Sequence, residues 1–566
     1  MATYYVCMAK TTQLNVDLED DYYLVNFEKV LLFIEETYLD LLRRKEMSFL
    51  KTFKACSINA KRLFVRLSLR QKSFFRFSKL NYPEINLDEG LEECNRNGLI
   101  ELNPALQYPD ILEPFTVKEI KDFYQLHSAD KNAKKRIPSK RSNLIEACRP
   151  FEDKVDGWIK EKDTLIWPLH DETLERFQLL FFGNLYGHFS QDMAQFIFED
   201  IGIMKFEKIT IDKSNRYFSS RDHLNAHYRW SCLHGELWEA IEDKDCERTE
   251  VILKDLKKIN YKGESLKRRL SRSYNLLAKF YESCNRKEEA LKLYESSIKE
   301  PARERRVRLL EKFNRDQEAF NLCSEIQSRP NSENERYFAT FFIEKIKKKL
   351  GKNYTKRKKL PTVPEVILPL KWEKKGRVES QVLSYLEEEK FKGFFCENSY
   401  WGTLAALLFW DEFWSPASGV FYHPFENGPR DFYTGEFYRR EQDRIQERKI
   451  WWENQKDWWP LLEKRFDEKF LTHCTLTSWK RVKKENLKQL VSVASPEIIF
   501  DITLQILKDP KQYRSGLPDL FLEGPQGEII LGEVKSPNDQ IQTSQKRWFD
   551  FFLLKEIPFK IYRLKS

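Results

Sequence analysis

Apolar residues recur at helical spacing through most of the first 350 positions. Leu24, Phe27, Val30, Leu31, Ile34, Tyr38 and Leu41 repeat every three or four residues and predict an amphipathic helix. Phe115-Thr-Val-Lys-Glu-Ile-Lys-Asp-Phe-Tyr predicts another, a further one opens at Ser142, and from about 223 to 344 the pattern is one of helical pairs. The period changes near the C-terminus. Two short β-rich runs, Asp519-Leu-Phe-Leu and Glu528-Ile-Ile-Leu-Gly-Glu533-Val-Lys535, flank Gly524-Pro525-Gln526-Gly527, a cluster that breaks helix and strand, so a β-hairpin is predicted. Centring the turn on Gln526 sets Asp519 opposite Glu533 and Lys535 opposite Leu517. Without a bulge, Asp519, Glu533 and Lys535 share one face and Val534 takes the other.

Two carboxylates opposed across a hairpin repel and call for a compensating cation. A hard divalent ion such as Mg²⁺ or Mn²⁺ prefers carboxylate, carbonyl and water oxygens, and an ammonium beside it can hold an attacking water. That is equipment for displacing a phosphodiester oxygen. An amphipathic hairpin with a solvated charged face is the competing reading and, for a bare D…E-x-K, stands about level.

The surroundings shift that balance. Gly516-Leu-Pro-Asp519, then Gly532-Glu533-Val-Lys535-Ser-Pro-Asn-Asp539, then Ser544-Gln545-Lys-Arg-Trp548 resemble the virus-type replication-repair nuclease domain of the PD-(D/E)xK superfamily. The resemblance implies an α/β nuclease fold from about 360 to 566. Glu397 opens a nearly all-apolar helix after Phe391-Lys-Gly-Phe-Phe-Cys, and by resemblance it completes the metal site. On this reading Asp519 and Glu533, with the Val534 carbonyl, hold one Mg²⁺ or Mn²⁺; Glu397 serves a second ion or bridges through water. Lys535 orients the attacking water. Lys511 and Arg514 stand at the mouth of the site, placed to hold a phosphate. Vertebrate proteins with this domain carry a lysine before the glutamine of Q-x-x-W that helps to bind a 5′ phosphate. Here that position is Ser544, so such a pocket is reduced or rebuilt, with Lys546 a candidate.

A chain of 566 residues predicts several domains, and a net charge of +9 from 97 Lys plus Arg against 88 Asp plus Glu points to local basic patches. Residues 1–103 read as a helical, winged-helix-like DNA-binding region. Arg62, Arg66 and Arg70 lie four apart on a helix, followed by Lys72, Arg76 and interleaved phenylalanines, with a solvated charged face the alternative. Residues 104–150 resemble a SAP-type module, with Lys134 and Lys135 in a basic loop between two helices. Residues 151–345 contain a tetratricopeptide-like repeat around Leu276–Pro301, with Arg306 among arginines that approach a DNA strand end in relatives. Lys345 to Lys359 reads as a basic linker or a nonspecific phosphate contact. His223, His227 and His234 share a helical face, and structural histidines outweigh a metal site there. Trp451, Trp452, Trp458 and Trp459 read as packing ahead of base stacking.

The ten cysteines show no C-x-x-C, so neither a zinc finger nor a disulfide framework is expected. Neither a signal peptide nor a membrane span is visible, which predicts an intracellular, cytoplasmic protein. Taken in order, winged-helix-like, SAP-like, tetratricopeptide-like and nuclease parts resemble the short bacterial form of the Fanconi-associated nuclease family. That resemblance implies a mainly α, multidomain enzyme of the phosphodiesterase I type. It would be a 5′ flap endonuclease and 5′→3′ exonuclease acting on branched or flap DNA in interstrand-crosslink repair. A DNA-junction scaffold with a vestigial nuclease fold and an RNA-directed nuclease are the alternatives, and a homo-oligomer is left open.

Overall fold

The computed structural model describes residues 21–70, 74–105, 107–128, 138, 140–185, 196, 204–260, 263–354, 363–371 and 376–565, which fall into two compact units divided at Ile201/Gly202. In the first unit, helices Tyr22–Tyr38, Arg44–Ala55 and Ile58–Ser68 enclose Phe27, Phe49, Phe53 and Phe64. Ser57 starts the third helix by accepting the Ala60 N–H on its hydroxyl, a typical N-cap. A small antiparallel sheet of β1 (Phe75–Arg76), β2 (Ile100–Leu102) and β3 (Leu165–Pro168) runs in the order β1-β3-β2. Its central strand arrives after the second basic unit, so the first region does not close at residue 103. The segment from 104 to 164 is an insertion with its own core, built on Phe115, Phe123 and Trp158 from helices Val117–His127, Arg141–Cys148 and Glu152–Lys162. Helix Asp171–Phe182 then returns to the first helix, setting Phe181 edge-on to Phe33 at 5.0 Å.

The second unit opens with a strap, residues 204–220, that belongs to the C-terminal core. Ile209 is buried there, and Glu207 pairs with Lys469 at 2.7 Å. Helices Arg221–Glu242, Cys246–Lys257, Glu264–Ser283, Lys287–Glu295, Ala302–Lys312, Asp316–Ser328 and Glu333–Lys349 follow; Glu264–Ser283 packs back on Arg221–Glu242, and each of the others on its predecessor. The last absorbs the start of the expected basic linker, where Lys345 and Lys349 are ion-paired with Glu311.

The C-terminal part is an α/β layer of β4 (Glu365–Lys371), β5 (Lys392–Phe395), β6 (Leu520–Glu523), β7 (Ile529–Lys535) and β8 (Phe559–Lys565), ordered β4-β8-β7-β6-β5. β5, β6 and β7 are antiparallel neighbours, while β8 runs parallel to both β7 and β4. Between β5 and β6 the chain inserts helix Glu397–Leu408, buried from Ser399 onward, and several more helices. Each apolar side chain it removes from water contributes about 1.5–3 kcal/mol. Gly402 permits the close approach of a loop, since a Cβ there would stand 2.6 Å from the Leu476 carbonyl oxygen. Among the described residues no single helix is long and apolar enough to cross a membrane.

Candidate active site

β7 is the middle strand, and every residue in it is buried. Glu533 is 1% exposed and Lys535 7%, so two charged groups end an otherwise apolar strand. The β6–β7 ladder runs without a bulge from Glu523 opposite Ile529 to Leu520 opposite Gly532. One step further sets Asp519 against Glu533, as the turn-centred register requires, and Asp519 Oδ2 accepts the Val534 N–H at 2.9 Å. The faces alternate as expected. Val534 joins Leu520, Leu522 and Tyr562 on one side, whereas Leu531 joins Phe521 and Ile561 on the other, the side of Glu533.

Glu397 is brought to the same end by the sheet. β5 pairs with β6 through Phe395 opposite Leu520, and the Asp519 carbonyl accepts the Cys396 and Glu397 N–H groups at 2.8 and 3.2 Å. Glu397 has a left-handed φ of 41°, a sharp strand-to-helix transition. The Asn398 side chain accepts the Leu517 N–H at 3.1 Å and ties the Gly516-Leu-Pro-Asp519 turn to the helix.

Two side chains close around Glu533. Lys535 Nζ lies 2.8 Å from Glu533 Oε1, Gln545 Nε2 donates to the same oxygen at 2.6 Å, and Lys535 donates to Gln545 Oε1 at 3.1 Å. Glu533 Oε2 is buried with no hydrogen-bond partner among the described residues. Burial pushes the Asp519 carboxyl up to about 6, reinforced by the Glu379 and Glu397 carboxylates and opposed by the Val534 N–H and Lys535. Burial and the Asp519 carboxylate push Glu533 up to about 8 against the pull of Lys535. As placed, no three His, Cys, Asp or Glu side chains among the described residues close on a common point. The donor set still suits a hard divalent ion: oxygen ligands, excess negative charge and an orphaned carboxylate oxygen.

Gln545 and Glu379 are the site neighbours to which the sequence reading gave no role. Gln545 was visible in Q-x-x-W. Glu379 sits in the first turn of helix Val378–Glu388, one element before β5, where only an acid at a helix start marks it. At the mouth, Arg514 donates to the Tyr433 and Thr475 hydroxyls, and Lys511, more than half exposed, lies 3.5 Å from Glu300. Lys546 is exposed beside Gln545.

The arginines proposed for DNA fare differently. Arg76 is corrected: it is 7% exposed, held between Glu119 and Asp163, and structural. Arg62 is committed to Asp21, and Arg66 to Glu84 while stacking on Tyr23. Arg70 is exposed past the helix end, over Tyr82. Arg306 lies 3.7 Å from Glu295. Lys72, Lys134 and Lys135 lie outside the described residues. His223 and His227 meet at 3.2 Å and His234 contacts Ser273 at 2.7 Å, inside a core where burial lowers all three pKa values. Trp452 and Trp458 are core residues, whereas Trp451 is exposed.

This fold and site define a nuclease. The chain matches the VRR-NUC domain over residues 453–564 and the FAN1 HTH domain over 21–101, and it is a hydrolase acting on DNA. The matched nuclease segment begins after Glu397, which the β5–β6 pairing brings to the same strand end. A VRR-NUC nuclease implies dependence on a divalent metal. Along nearly its whole length the chain is similar to the Fanconi-associated nuclease family. It is 27% identical to the Fanconi-associated nuclease 1 homolog of Pseudomonas aeruginosa over 551 residues, covering 96% of this chain and 95% of that protein. The Arabidopsis thaliana homolog is 24% identical, over 95% of this chain and 66% of its own length. The crystal structure of paFAN1 bound to 2-nucleotide 5′ flap DNA with a gap superposes with a TM-score of 0.80 at 26% identity, covering 97% of this chain and 99% of that one.

Proposed function

We propose that this nuclease cuts 5′ flaps in branched DNA and degrades strands 5′→3′ from such ends, using Mg²⁺ or Mn²⁺, in the repair of interstrand crosslinks inside the cell. The observation that carries the reading is the end of β7. A buried glutamate there keeps one oxygen on Lys535 and Gln545 and the other without a partner among the described residues, beside an aspartate that burial holds near 6. The flap DNA held by the similar solved structure supports the substrate.

Asp519, Glu533, the Val534 carbonyl and Glu397 would hold the metal, two ions in our reading. Bound there, a divalent ion supplies Lewis-acid polarisation of the scissile phosphate and a more acidic water. The rest belongs to the chain. Lys535 has three N–H donors, two of them engaged by Glu533 and Gln545, which leaves the third to hold the attacking water. Burial excludes competing solvent and strengthens every charge–dipole contact at the strand end. Arg514 and Lys511 meet the phosphates of the incoming strand, and Arg70, Lys72, Lys134, Lys135, Arg306 and Lys546 remain candidate backbone contacts.

Labelled 5′-flap DNA, its RNA counterpart and single strands, each with Mn²⁺ and then with EDTA, test the reading. Cleavage of flap DNA that EDTA stops, and that Asp519→Ala abolishes while flap binding persists, is the expected result. An Asp519→Ala variant that cuts at the parent rate overturns it, and faster cleavage of RNA moves the substrate class.

A further inference from the structure

We propose that Gln545 is the positioning residue that divides Glu533 and Lys535 between two tasks, assigning one carboxylate oxygen to the divalent ion and one ammonium proton to the attacking water. The inference rests on the nuclease reading given above. A glutamate carboxylate turns about its last torsion over a broad, two-fold profile, so Lys535 alone is satisfied by either oxygen. An amide breaks the tie because it carries a donor and an acceptor in one rigid plane. The Gln545 Nε2 donates to Glu533 Oε1 at 2.6 Å, and its Oε1 accepts from Lys535 Nζ at 3.1 Å. Lys535 closes the ring on Glu533 Oε1 at 2.8 Å. Oε1 therefore has two donors and Oε2 has none among the described residues. A glutamate at 545 offers Glu533 no donor and adds a repelling charge, a methionine offers neither group, and an asparagine is one methylene short.

The amide is itself held. Its Oε1 also accepts the Gln542 N–H at 2.9 Å, closing a reciprocal cap at the start of helix Thr543–Lys555. One residue earlier, the Ser544 backbone presses on Gly516, where a Cβ would stand 2.7 Å from the Ser544 carbonyl carbon. Three residues later, the buried Trp548 donates to the Ser515 carbonyl at 3.2 Å. The turn that carries Asp519 and the helix that carries Gln545 are thus fastened at two points. This gives the Q-x-x-W spacing a physical purpose: the tryptophan anchors the helix to the turn, and the glutamine, one turn back, reaches β7.

The test uses the full chain, with Gln545→Met and Gln545→Asn read against the parent. Two quantities decide: kcat and KM on 5′-flap DNA, and the affinity for Mn²⁺ alone, measured without DNA from the electron-spin-resonance signal of the free ion. Groups that orient metal ligands typically cost about 10–100-fold in affinity or activity when removed. We expect kcat to fall in that range, KM to stay within about twofold, and the Mn²⁺ dissociation constant to rise by roughly tenfold, for both variants. Parent-like kcat and Mn²⁺ affinity in a folded variant overturn the proposal. So does a rise in KM with kcat unchanged, which would make Gln545 a DNA contact. Should Gln545→Met fail to fold, Gln545→Asn is judged on the same two quantities. A parent that cleaves no DNA sinks the nuclease reading instead, and the Mn²⁺ measurement still decides Gln545.

Discussion

Asp519→Asn should separate stability from activity in opposite directions. In the metal-free chain the Asp519 carboxyl is held at about 6 against an ordinary value of 3.8, because burial and the carboxylates of Glu379 and Glu397 disfavour its charge. The folded state therefore binds this proton more tightly than the unfolded chain does. Stability is fully present below the unfolded pKa, near pH 4, and declines as pH rises toward 6, beyond which the loss is complete. At roughly 1.4 kcal/mol per pKa unit the full cost is ~3 kcal/mol. Asparagine removes the charge but keeps an oxygen for the Val534 N–H, which Asp519 accepts at 2.9 Å. It also gives up the attraction to Lys535, so the net gain expected at pH 8 is about 1–3 kcal/mol, shrinking to nothing near pH 4. Urea unfolding in EDTA, followed by tryptophan fluorescence, measures it. Mn²⁺ at about a thousand times its dissociation constant should then stabilise the parent by ~4 kcal/mol and invert the order. The variant should cut no flap DNA. An asparagine variant less stable than the parent at pH 8 in EDTA, or equal stabilisation of both by Mn²⁺, would refute the reasoning.

Three other changes probe separate parts of the molecule. Gly516→Ala forces a Cβ against the Ser544 backbone at a φ of +90°, and it should cost about 2 kcal/mol or more, with a matching loss of cleavage; unchanged melting would show that the turn can shift freely. Arg76→Ala leaves Glu119 and Asp163 without their shared cation and should destabilise the first unit by about 3–5 kcal/mol. The folded remainder should bind DNA with the parent salt dependence, whereas a slope reduced by about one would restore Arg76 as a phosphate contact. Glu397→Ala should lower kcat by roughly 10²-fold and leave folding intact, because its side chain is exposed at the helix start; parent-like turnover would remove it from the site.

The strand-end chemistry was legible because β-structure converts sequence spacing into geometry almost without freedom. A turn centred on Gln526 and a period of two were enough to oppose Asp519 to Glu533 and to separate Val534 from Lys535, and the ladder follows that register. Glu397 could be placed only through resemblance, since its neighbourhood depends on β5 pairing with a strand more than a hundred residues away. The helical regions lost information at the same step. Arg62 and Arg66 share a helix face as their spacing requires, yet periodicity cannot say whether that face meets water, DNA or the chain's own Asp21 and Glu84. Arg76 fails for a related reason: its partner Asp163 stands at the end of an inserted module, and the central strand of its sheet begins at Leu165. Nothing local to residues 75–103 announces that return, so an early domain boundary followed. Gln545 lies between these cases. Its helix was readable and its motif was seen, but its function rests on which two atoms of β7 it touches, a relation fixed by the packing of Trp548 beneath the Asp519 turn. Local alternation can assign a side chain to a face; which distant group waits on that face is decided by topology.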